Sequence, residues 1–274
     1  MILGSETRKR LYRLLSIGQI VFGAVSVAVG AALKSDPSKY SQSFPILNDL
    51  LNTLQANAFI TIPISTLALG LFQLVKQLLG PPVAWLTIDA LLDDFRNKAL
   101  PNCPSHHLHR VTLFRHRTWA FWSLSPKNLF VKKWPWTGWL VPVERSGDVT
   151  QSPRVIFHAP KDDPKTAEGI AGHVWKTREC IYISELPDLA PDSSDKTIKN
   201  YASKTKVSPE YLKKKLKEGK EFARSFWGIH VECKGKIWGV IIIDSRNPTI
   251  VDSDQLKTIY RPIGACLDRL IEHL

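Results

Sequence analysis

Two long apolar runs stand out in the first part of the chain. Residues 14–33 carry no charge, and residues 58–79 carry one charged residue, Lys76. About twenty apolar residues are what an α-helix needs to cross a bilayer. We therefore predict two transmembrane helices at these positions, forming a membrane hairpin of residues 1–82. The alternative for each run is a buried helix in a soluble core.

The charges around the first run predict its orientation. Arg8, Lys9, Arg10 and Arg13 precede it, whereas residues 34–57 carry two lysines and two aspartates. Short loops rich in Lys and Arg stay in the cytoplasm. A secretory leader also begins with cations, but its apolar segment is about 7–15 residues long. We therefore expect an uncleaved multi-pass protein of the inner (cytoplasmic) membrane with both termini in the cytoplasm.

The next segment, residues 83–105, predicts a connecting amphipathic helix and a linker. Apolar residues recur at intervals of three and four, and Pro101 and Pro104 follow the pattern. This spacing places one apolar stripe along a helix. The stripe is expected to pack on the following domain or on a second copy of the chain.

Residues 106–274 alternate between strand and helix patterns. Runs rich in β-branched and aromatic residues predict strands, and a turn at Lys234-Gly235 predicts a hairpin. The strands are expected at 110–117, 139–145, 154–158, 180–184, 225–233 and 237–243. Helices are predicted from Gly169, from Ser208 and from Asp252, and the polar stretch 187–221 is interpreted as a surface excursion. The order predicts an α+β fold around an antiparallel sheet.

Charge and cysteine content narrow the possible environments. The formal charge is +12, from 37 basic and 25 acidic residues, which suits an acidic ligand, nucleic acid or an anionic membrane surface. Four widely spaced cysteines form no C-x-x-C motif. This spacing indicates neither a zinc ribbon nor a thioredoxin-type pair and fits a reducing compartment.

The patterns at 169–188 and 225–260 resemble the GAF domain family. They read GIAGHVWKTRECIYISELPD and SFWGIHVECKGKIWGVIIIDSRNPTIVDSDQLKTIY. The features that resemble the family are a turn glycine, a GV opening the last strand, a DS closing it and an acidic cap before the final helix. The resemblance covers residues 106–274 and implies a GAF-like antiparallel sheet with flanking helices and a buried pocket for a small molecule.

The resemblance implies a set of ligand-binding residues. Asp244 ends the last strand, where it would contact a ligand; the alternative is that Asp244 and Ser245 cap the turn that follows. A helix starting at Gly169 would direct free N–H groups toward an anion, with Ala171 and Gly172 beside it, or the glycines serve close packing. His158 and Trp227 are further candidates, each with a structural role as the alternative.

Two other segments carry candidate chemistry. Cys103, His106, His107 and His109 could hold zinc, although a solvated linker is the preferred interpretation and no metal site is predicted. Residues 118–139 interleave five tryptophans with lysines. This composition favours a lipid surface or self-contact, or core packing, over single-stranded nucleic acid, so no nucleic-acid partner is predicted.

The predicted function is that of a membrane-anchored sensor, not an enzyme, without a cofactor. Its cytoplasmic GAF-like domain would bind a small, anionic or nucleotide-like molecule and signal through the transmembrane helices, as a membrane-perturbing effector of antiviral defence in one version. The expected partners are the lipid bilayer, the ligand and a second copy in a homodimer or higher homo-oligomer. The alternatives are a membrane-tethered scaffold without ligand and a thiol-based sulfoxide reductase, which Ala171 in place of the redox cysteine disfavours.

Overall fold

The computed structural model describes residues 5–36, 45–101, 109–119, 134–147, 155–161, 166–272 and 274. The chain divides into two compact units, one built from residues 5–83 and the other from residues 84–272. Each unit has its own helices, and only the second contains a β-sheet among the described residues.

The first unit consists of helices in its described part. These are α1 (Ser5–Lys34), α2 (Pro45–Ala56) and α3 (Ala58–Leu79). Two helical stretches, Thr7–Lys34 and Ala58–Ala99, are long and apolar enough to cross a membrane by length and composition. Helix α2 lies where the sequence predicted only a loop. It carries one acidic residue, Asp49, among many apolar positions, and it is too short for a span.

Polar side chains join α1 to α3. The Ser26 and Ser65 hydroxyl oxygens lie 2.8 Å apart, and each also lies within hydrogen-bonding distance of a backbone carbonyl of its own helix. Gln19 donates to Gln73 at 3.0 Å and accepts from Lys76 at 2.9 Å. Small and polar residues of this kind hold apolar helices together where there is no water to drive association.

The second unit is built on one six-stranded sheet with the order β3-β2-β1-β6-β5-β4, and all its pairings are antiparallel. The strands are β1 (His109–Arg117), β2 (Trp139–Gly147), β3 (Phe157–His158), β4 (Ile181–Ile183), β5 (Ser225–Cys233) and β6 (Lys236–Ser245). The helices are α4 (Pro82–Ala99), α5 (Gly169–Thr177), α6 (Asp195–Thr205), α7 (Pro209–Lys217) and α8 (Ser253–Ile271). The predicted α+β class with an antiparallel sheet and flanking helices is confirmed.

One face of the sheet is filled by large side chains and is called the packed face. It carries Val111, Leu113, Trp227, Ile241 and Ile243, all almost fully buried. The Trp227 ring lies edge-on to Phe95 of α4 and Tyr260 of α8, with ring centroids 5.5 and 5.8 Å away. Helices α4 and α8 therefore cover this face, and the apolar stripe of α4 packs on the domain that follows it.

Glycines permit the closest approaches within the sheet. A Cβ at Gly239 would lie 1.9 Å from the Phe114 carbonyl oxygen, and one at Gly228 would meet the side chains of Ile242 and Val174. Helix α5 lies directly over β5 because Gly228 has no side chain. The face of β5 that carries Gly228 is therefore covered at this position.

The polar stretch 187–221 differs from its interpretation as a surface excursion. It folds into α6 and α7, and these helices bury a cluster of their own, formed by Leu186, Leu189, Ile198, Tyr201, Ala202, Leu212 and Leu216. The apolar residues were easily overlooked because lysines separate them. Most of those lysines occupy the outer faces of both helices, so the stretch is polar by composition and amphipathic in structure.

Candidate functional site

A cavity of about 220 Å³ lies between the sheet and helices α5, α6 and α7. It opens on the face opposite the packed face, which we call the cavity face. The sheet supplies Arg110, Thr112, Phe114, Arg145, Phe157, Phe226, Ile242 and Asp244, and the helices and their connections supply Gly169, Ile170, Ala171, Tyr201, Thr205, Val207, Tyr211, Leu212, Lys215, Lys220 and Glu221, among others. Most of these residues are apolar, with a few charged groups between them, as in known small-molecule pockets.

The Arg110–Asp244 ion pair forms the floor of the cavity. The two residues are directly opposite each other on β1 and β6. Arg110 Nε lies 3.1 and 3.0 Å from the two carboxylate oxygens, and a terminal guanidinium nitrogen also contacts Oδ2. The Asp244 side chain is only 13% exposed. A bidentate pair of this kind is held in a fixed geometry, so any ligand meets a preorganised group.

Two roles were considered for the end of the last strand, ligand contact and turn capping, and the structure assigns them to different residues. Asp244 lies in the cavity wall, whereas Ser245 caps the turn by accepting a hydrogen bond from the Asn247 N–H at 2.9 Å. The Ser245 hydroxyl also bonds to His109 Nδ1 at 2.8 Å. Successive strand residues point to opposite faces of a sheet, which is why the two neighbours have different roles.

Arg145 is a second cation in the cavity wall. Its Nε donates to Thr112 Oγ1 at 3.1 Å, and no ion pair joins it to a carboxylate among the described residues. Burial lowers the pKa of Arg145, and the neighbouring Arg110 lowers it further, while Asp244 raises it. A guanidinium remains charged at neutral pH nonetheless. An anionic group in the cavity would be attracted to it.

The rim of the cavity adds further charges. Lys215 pairs with Glu218 at 2.6 Å, and Glu221 pairs with Arg246. Lys220 has no ion pair within the described part of the chain. With Arg110 neutralised by Asp244, the wall and rim keep an excess of positive charge at Arg145 and Lys220.

Tyr201 closes the cavity from the side of α6. Its hydroxyl donates to the Ala223 carbonyl at 2.8 Å and the side chain is buried. Burial raises the pKa of Tyr201, and the Asp244 carboxylate adds to that effect. The phenol is therefore neutral, and it anchors α6 to the connection that precedes β5.

The start of α5 lies in the cavity wall as the sequence suggested. Gly169 has φ +65°, and a Cβ there would lie 2.7 Å from the Phe157 ring. However, the Gly169 N–H is donated to the Lys206 carbonyl at 3.1 Å, so it is not free for an anion. Ala171 also lines the cavity. Gly172 packs on Ala167 instead and is not part of the lining.

His158 and Trp227 lie away from the cavity lining. His158 Nε2 is hydrogen-bonded to the Thr137 hydroxyl at 2.8 Å, and its ring packs beside Trp139. Trp227 belongs to the packed face. Of the six residues proposed from the sequence, the structure thus brings Gly169, Ala171 and Asp244 together.

Arg110, Arg145 and Tyr201 were not identified from the sequence. The signal for Arg110 was present in the strand RVTLF, where Arg110 and Thr112 alternate with Val111 and Leu113. Such alternation assigns the polar residues to one face. Nothing comparable marks Tyr201, because the stretch that contains it looked like a solvated surface.

The possible zinc ligands are only partly described. Cys103, His106 and His107 lie outside the described residues, and His109 is buried against Ser245. Within the described part of the chain, no group of three or more His, Cys, Asp or Glu residues could hold a metal ion.

No protein-family model matches the chain, and no curated protein matches it significantly. Solved structures do match. The GAF domain of an Acinetobacter phosphoenolpyruvate-protein phosphotransferase is 12% identical over 70% of this chain and 94% of its own, with a TM-score of 0.35. The GAF domain region of a Geobacter sulfurreducens protein is 14% identical over 70% of this chain and 97% of its own, with a TM-score of 0.37.

The chromophore-binding domain of a bacteriophytochrome from R. palustris is also similar. It is 14% identical, and the match covers 70% of this chain and 54% of that chain, with a TM-score of 0.36. The chain therefore spans about half the length of that protein. At these identities and TM-scores the matches identify no ligand and no activity for this chain, and its fold class rests on its own strand order and register.

Proposed function

We propose that this chain is a membrane-anchored sensor whose cavity binds a small molecule carrying an anionic group. The observation that supports the proposal most directly is Arg145, a half-buried cation in the cavity wall that has no carboxylate partner among the described residues. Burying a cation without a counterion is unfavourable. A bound carboxylate or phosphate would offset that cost.

The dimensions and lining favour a compact ligand. The cavity measures about 220 Å³, below the ~300–1,000 Å³ of sites for drug-sized ligands. Phe114, Phe157 and Phe226 offer aromatic surface, while Asp244 and Thr112 offer acceptors for an amine or amide. The ligand that fits best has an anionic end, a small apolar or aromatic body and a hydrogen-bond donor.

The decisive experiment is native mass spectrometry of the full chain in detergent. It is followed by thermal-shift titration with nucleotides, cyclic nucleotides and amino-acid derivatives. A ligand that binds only the folded state raises the melting temperature in a saturable way. We expect such a shift, and we expect Arg145→Gln to weaken binding by about 10- to 100-fold, since hydrogen bonds to charged groups contribute roughly 1.5–3 kcal/mol.

The matched control is Arg269→Gln, which removes an exposed cation from α8, at a position that does not line the cavity. It should leave the affinity unchanged. A protein with no co-purifying mass and no shift with any compound would overturn the sensor proposal and favour the tethered scaffold, in which the GAF-like domain serves self-association.

The thiol-based reductase is a weaker alternative. Burial raises the pKa of Cys180, which is the wrong direction for a thiolate nucleophile. Burial likewise raises the pKa of Cys233, with Asp268 and Glu272 adding to the effect. Neither cysteine lines the cavity. Sulfoxide turnover that is lost on replacing either cysteine would support the reductase and contradict the sensor.

The output of the sensor is proposed to lie in the apolar helices. The bonds from Gln19 to Gln73 and from Ser26 to Ser65 join α1 to α3, and polar residues inside a membrane commonly mark functional sites. In this version the ligand rearranges or assembles the helices and perturbs the bilayer, as an effector of antiviral defence would. Expression of the full chain with its ligand should then collapse the membrane potential, and an unchanged potential with ligand bound would exclude this output.

A further inference from the structure

A second concave surface, the basic cleft, lies at the end of the sheet where β1 ends and the β5–β6 hairpin turns. Its lining includes Arg115, Lys161, Lys176, Arg178 and Lys236, and a single carboxylate, Glu232. Five full positive charges therefore face one negative charge. Lys236 and Asp244 are eight residues apart on β6, so the cleft lies roughly 25 Å along the strand from the cavity floor.

The cations of the basic cleft lack counterions. Within the described part of the chain, none of the five forms an ion pair with a carboxylate, and Glu232 is paired with His230 at 3.3 Å. Burial lowers the pKa of Arg115, and repulsion from Arg117 lowers it further. The Arg115 side chain contacts an aromatic ring instead. Arg115 lies over Trp238 at 5.2 Å.

Exposed tryptophans lie beside the cleft and form what we call the indole cluster. Trp119, Trp134 and Trp136 are 56%, 43% and 48% exposed. Trp134 stacks on Trp136 with a centroid distance of 5.2 Å, and Trp119 lies 6.4 Å from Trp136. Large exposed aromatic groups in contact with one another usually mark an interaction surface.

The indole cluster and the basic cleft are continuous. Thr118 lines the cleft and Trp119 follows it directly. The loop that carries the other two tryptophans returns to the same place, since a Cβ at Gly138 would lie 3.0 Å from His116 Nε2 in the cleft. His116 in turn stacks on Trp175 with a centroid distance of 4.4 Å. Indoles and cations thus form one surface.

We propose that this combined surface docks onto an anionic lipid bilayer, with the indole cluster at the level of the headgroups and the cations of the basic cleft on the lipid phosphates. Tryptophan prefers the membrane–water interface because one part of its ring system is apolar and the other is a hydrogen-bond donor. Lys and Arg next to an anionic leaflet are attracted to it. The proposal is independent of whether the cavity binds a ligand.

Membrane lipid is favoured over a soluble polyanion because of the indoles. A free phosphate compound would need the cations alone, whereas three exposed indoles outside the cleft gain nothing from it. The same chain also contains two helical stretches that are long and apolar enough to cross a membrane. A bilayer would use both the charges and the indoles.

The test uses the position of the tryptophans. All nine lie between residues 85 and 238, so α1 to α3 contain none. The full chain is reconstituted into vesicles with dibrominated acyl chains, made of phosphatidylcholine alone or with a third of phosphatidylglycerol. Bromine quenches only nearby indoles. We expect stronger quenching in the anionic vesicles, and we expect high salt to reduce it, because exposed charges are screened.

The cleft variant Lys161→Gln, Lys176→Gln, Lys236→Gln should remove the additional quenching. Each cation near an anionic surface raises the docking equilibrium constant by about fivefold, so the loss of three cations should lower that constant by about 100-fold. The control Lys204→Gln, Lys214→Gln, Lys217→Gln removes the same charge from the exposed faces of α6 and α7 and should quench like the wild type. If the triple variant does not fold, Lys236→Gln alone replaces it, and we expect that variant to lower the docking equilibrium constant by about fivefold.

Three results would overturn the proposal. The first is equal quenching in both kinds of vesicle, and the second is an equal loss in the cleft and control variants. The third is a saturable fluorescence change with a soluble polyphosphate in lipid-free detergent, lost in the cleft variant, together with quenching that does not depend on anionic lipid. That result would assign the cleft to a soluble ligand.

Discussion

The two faces of the central sheet come from the same strands but are built differently. On the packed face, Trp227, Phe95 and Tyr260 interlock without a polar contact to one another. On the cavity face, the neighbouring residues Phe226 and Asp244 border open space, and charged groups pair across the strands. One face is a core and the other is a wall of a cavity.

Because of this difference, adjacent residues of one strand contribute separately to the stability of the fold and to ligand binding. Because successive side chains point to opposite faces, residues 226 and 227, or 243 and 244, belong to different environments. Substitutions on the packed face should therefore act on the free energy of unfolding, and those on the cavity face mainly on ligand binding.

The largest effect is expected from Trp227→Ala. A buried Trp replaced by Ala costs roughly 3–5 kcal/mol, which corresponds to a decrease of about 6–20 °C in the melting temperature of a unit of this size. Phe226→Ala, one residue away on the cavity face, should cost about half as much, because its ring is only partly buried. Thermal unfolding followed by far-UV circular dichroism measures both. Equal losses would mean that the two faces are equally well packed.

Two glycines allow a similar comparison with an added methyl group. In Gly239→Ala the new Cβ would meet the Phe114 backbone oxygen, which cannot move away, whereas in Gly228→Ala it would meet the ends of Ile242 and Val174. Overpacking costs roughly 1–3 kcal/mol. We expect Gly239→Ala at the upper end and Gly228→Ala at the lower end in the same unfolding assay. The reverse order would show that the cavity face is the more rigid one.

A smaller effect is expected on stability from Arg110→Met, which leaves the Asp244 carboxylate without its main partner. The loss should be about 1–2 kcal/mol, and the double variant Arg110→Met, Asp244→Leu should recover most of it, since removing both members of a pair is often nearly neutral. Both variants should lose the ligand. A double variant as unstable as the single one would show that the pair supports the fold itself.

The smallest effect concerns pH. Burial lowers the pKa of His116, with Lys161 adding to it, although the bond from Nε2 to the Ala159 carbonyl opposes the shift. The unfolded chain therefore binds this proton more readily, so the contribution of His116 to stability is present above its ordinary pKa of about 6.5 and decreases as pH falls below that value. His116→Asn should melt with a weaker dependence on pH between about 5 and 7. An unchanged dependence would exclude His116 as its source.

The sheet and its main helices could be predicted because their patterns are local. The alternation in 225–233 and the stripe from Leu256 to Leu267 each require only neighbouring residues to be interpreted. The cavity depends on contacts across long stretches of sequence. Arg110 meets Asp244 from 134 residues away, and Tyr201 enters from helices that looked solvated, so composition alone could not bring these residues together.

The pairing of β1 with β6 also sets an order of events during synthesis. The two strands are neighbours in the middle of the sheet, yet at ~5–20 residues per second the ribosome needs roughly 7–27 s to progress from Arg110 to Asp244. Helices α1 to α3 are complete before β1 is made, so the apolar part of the chain can reach its destination while the sheet still lacks its central strand. For that interval β1 has to be kept from pairing with other chains.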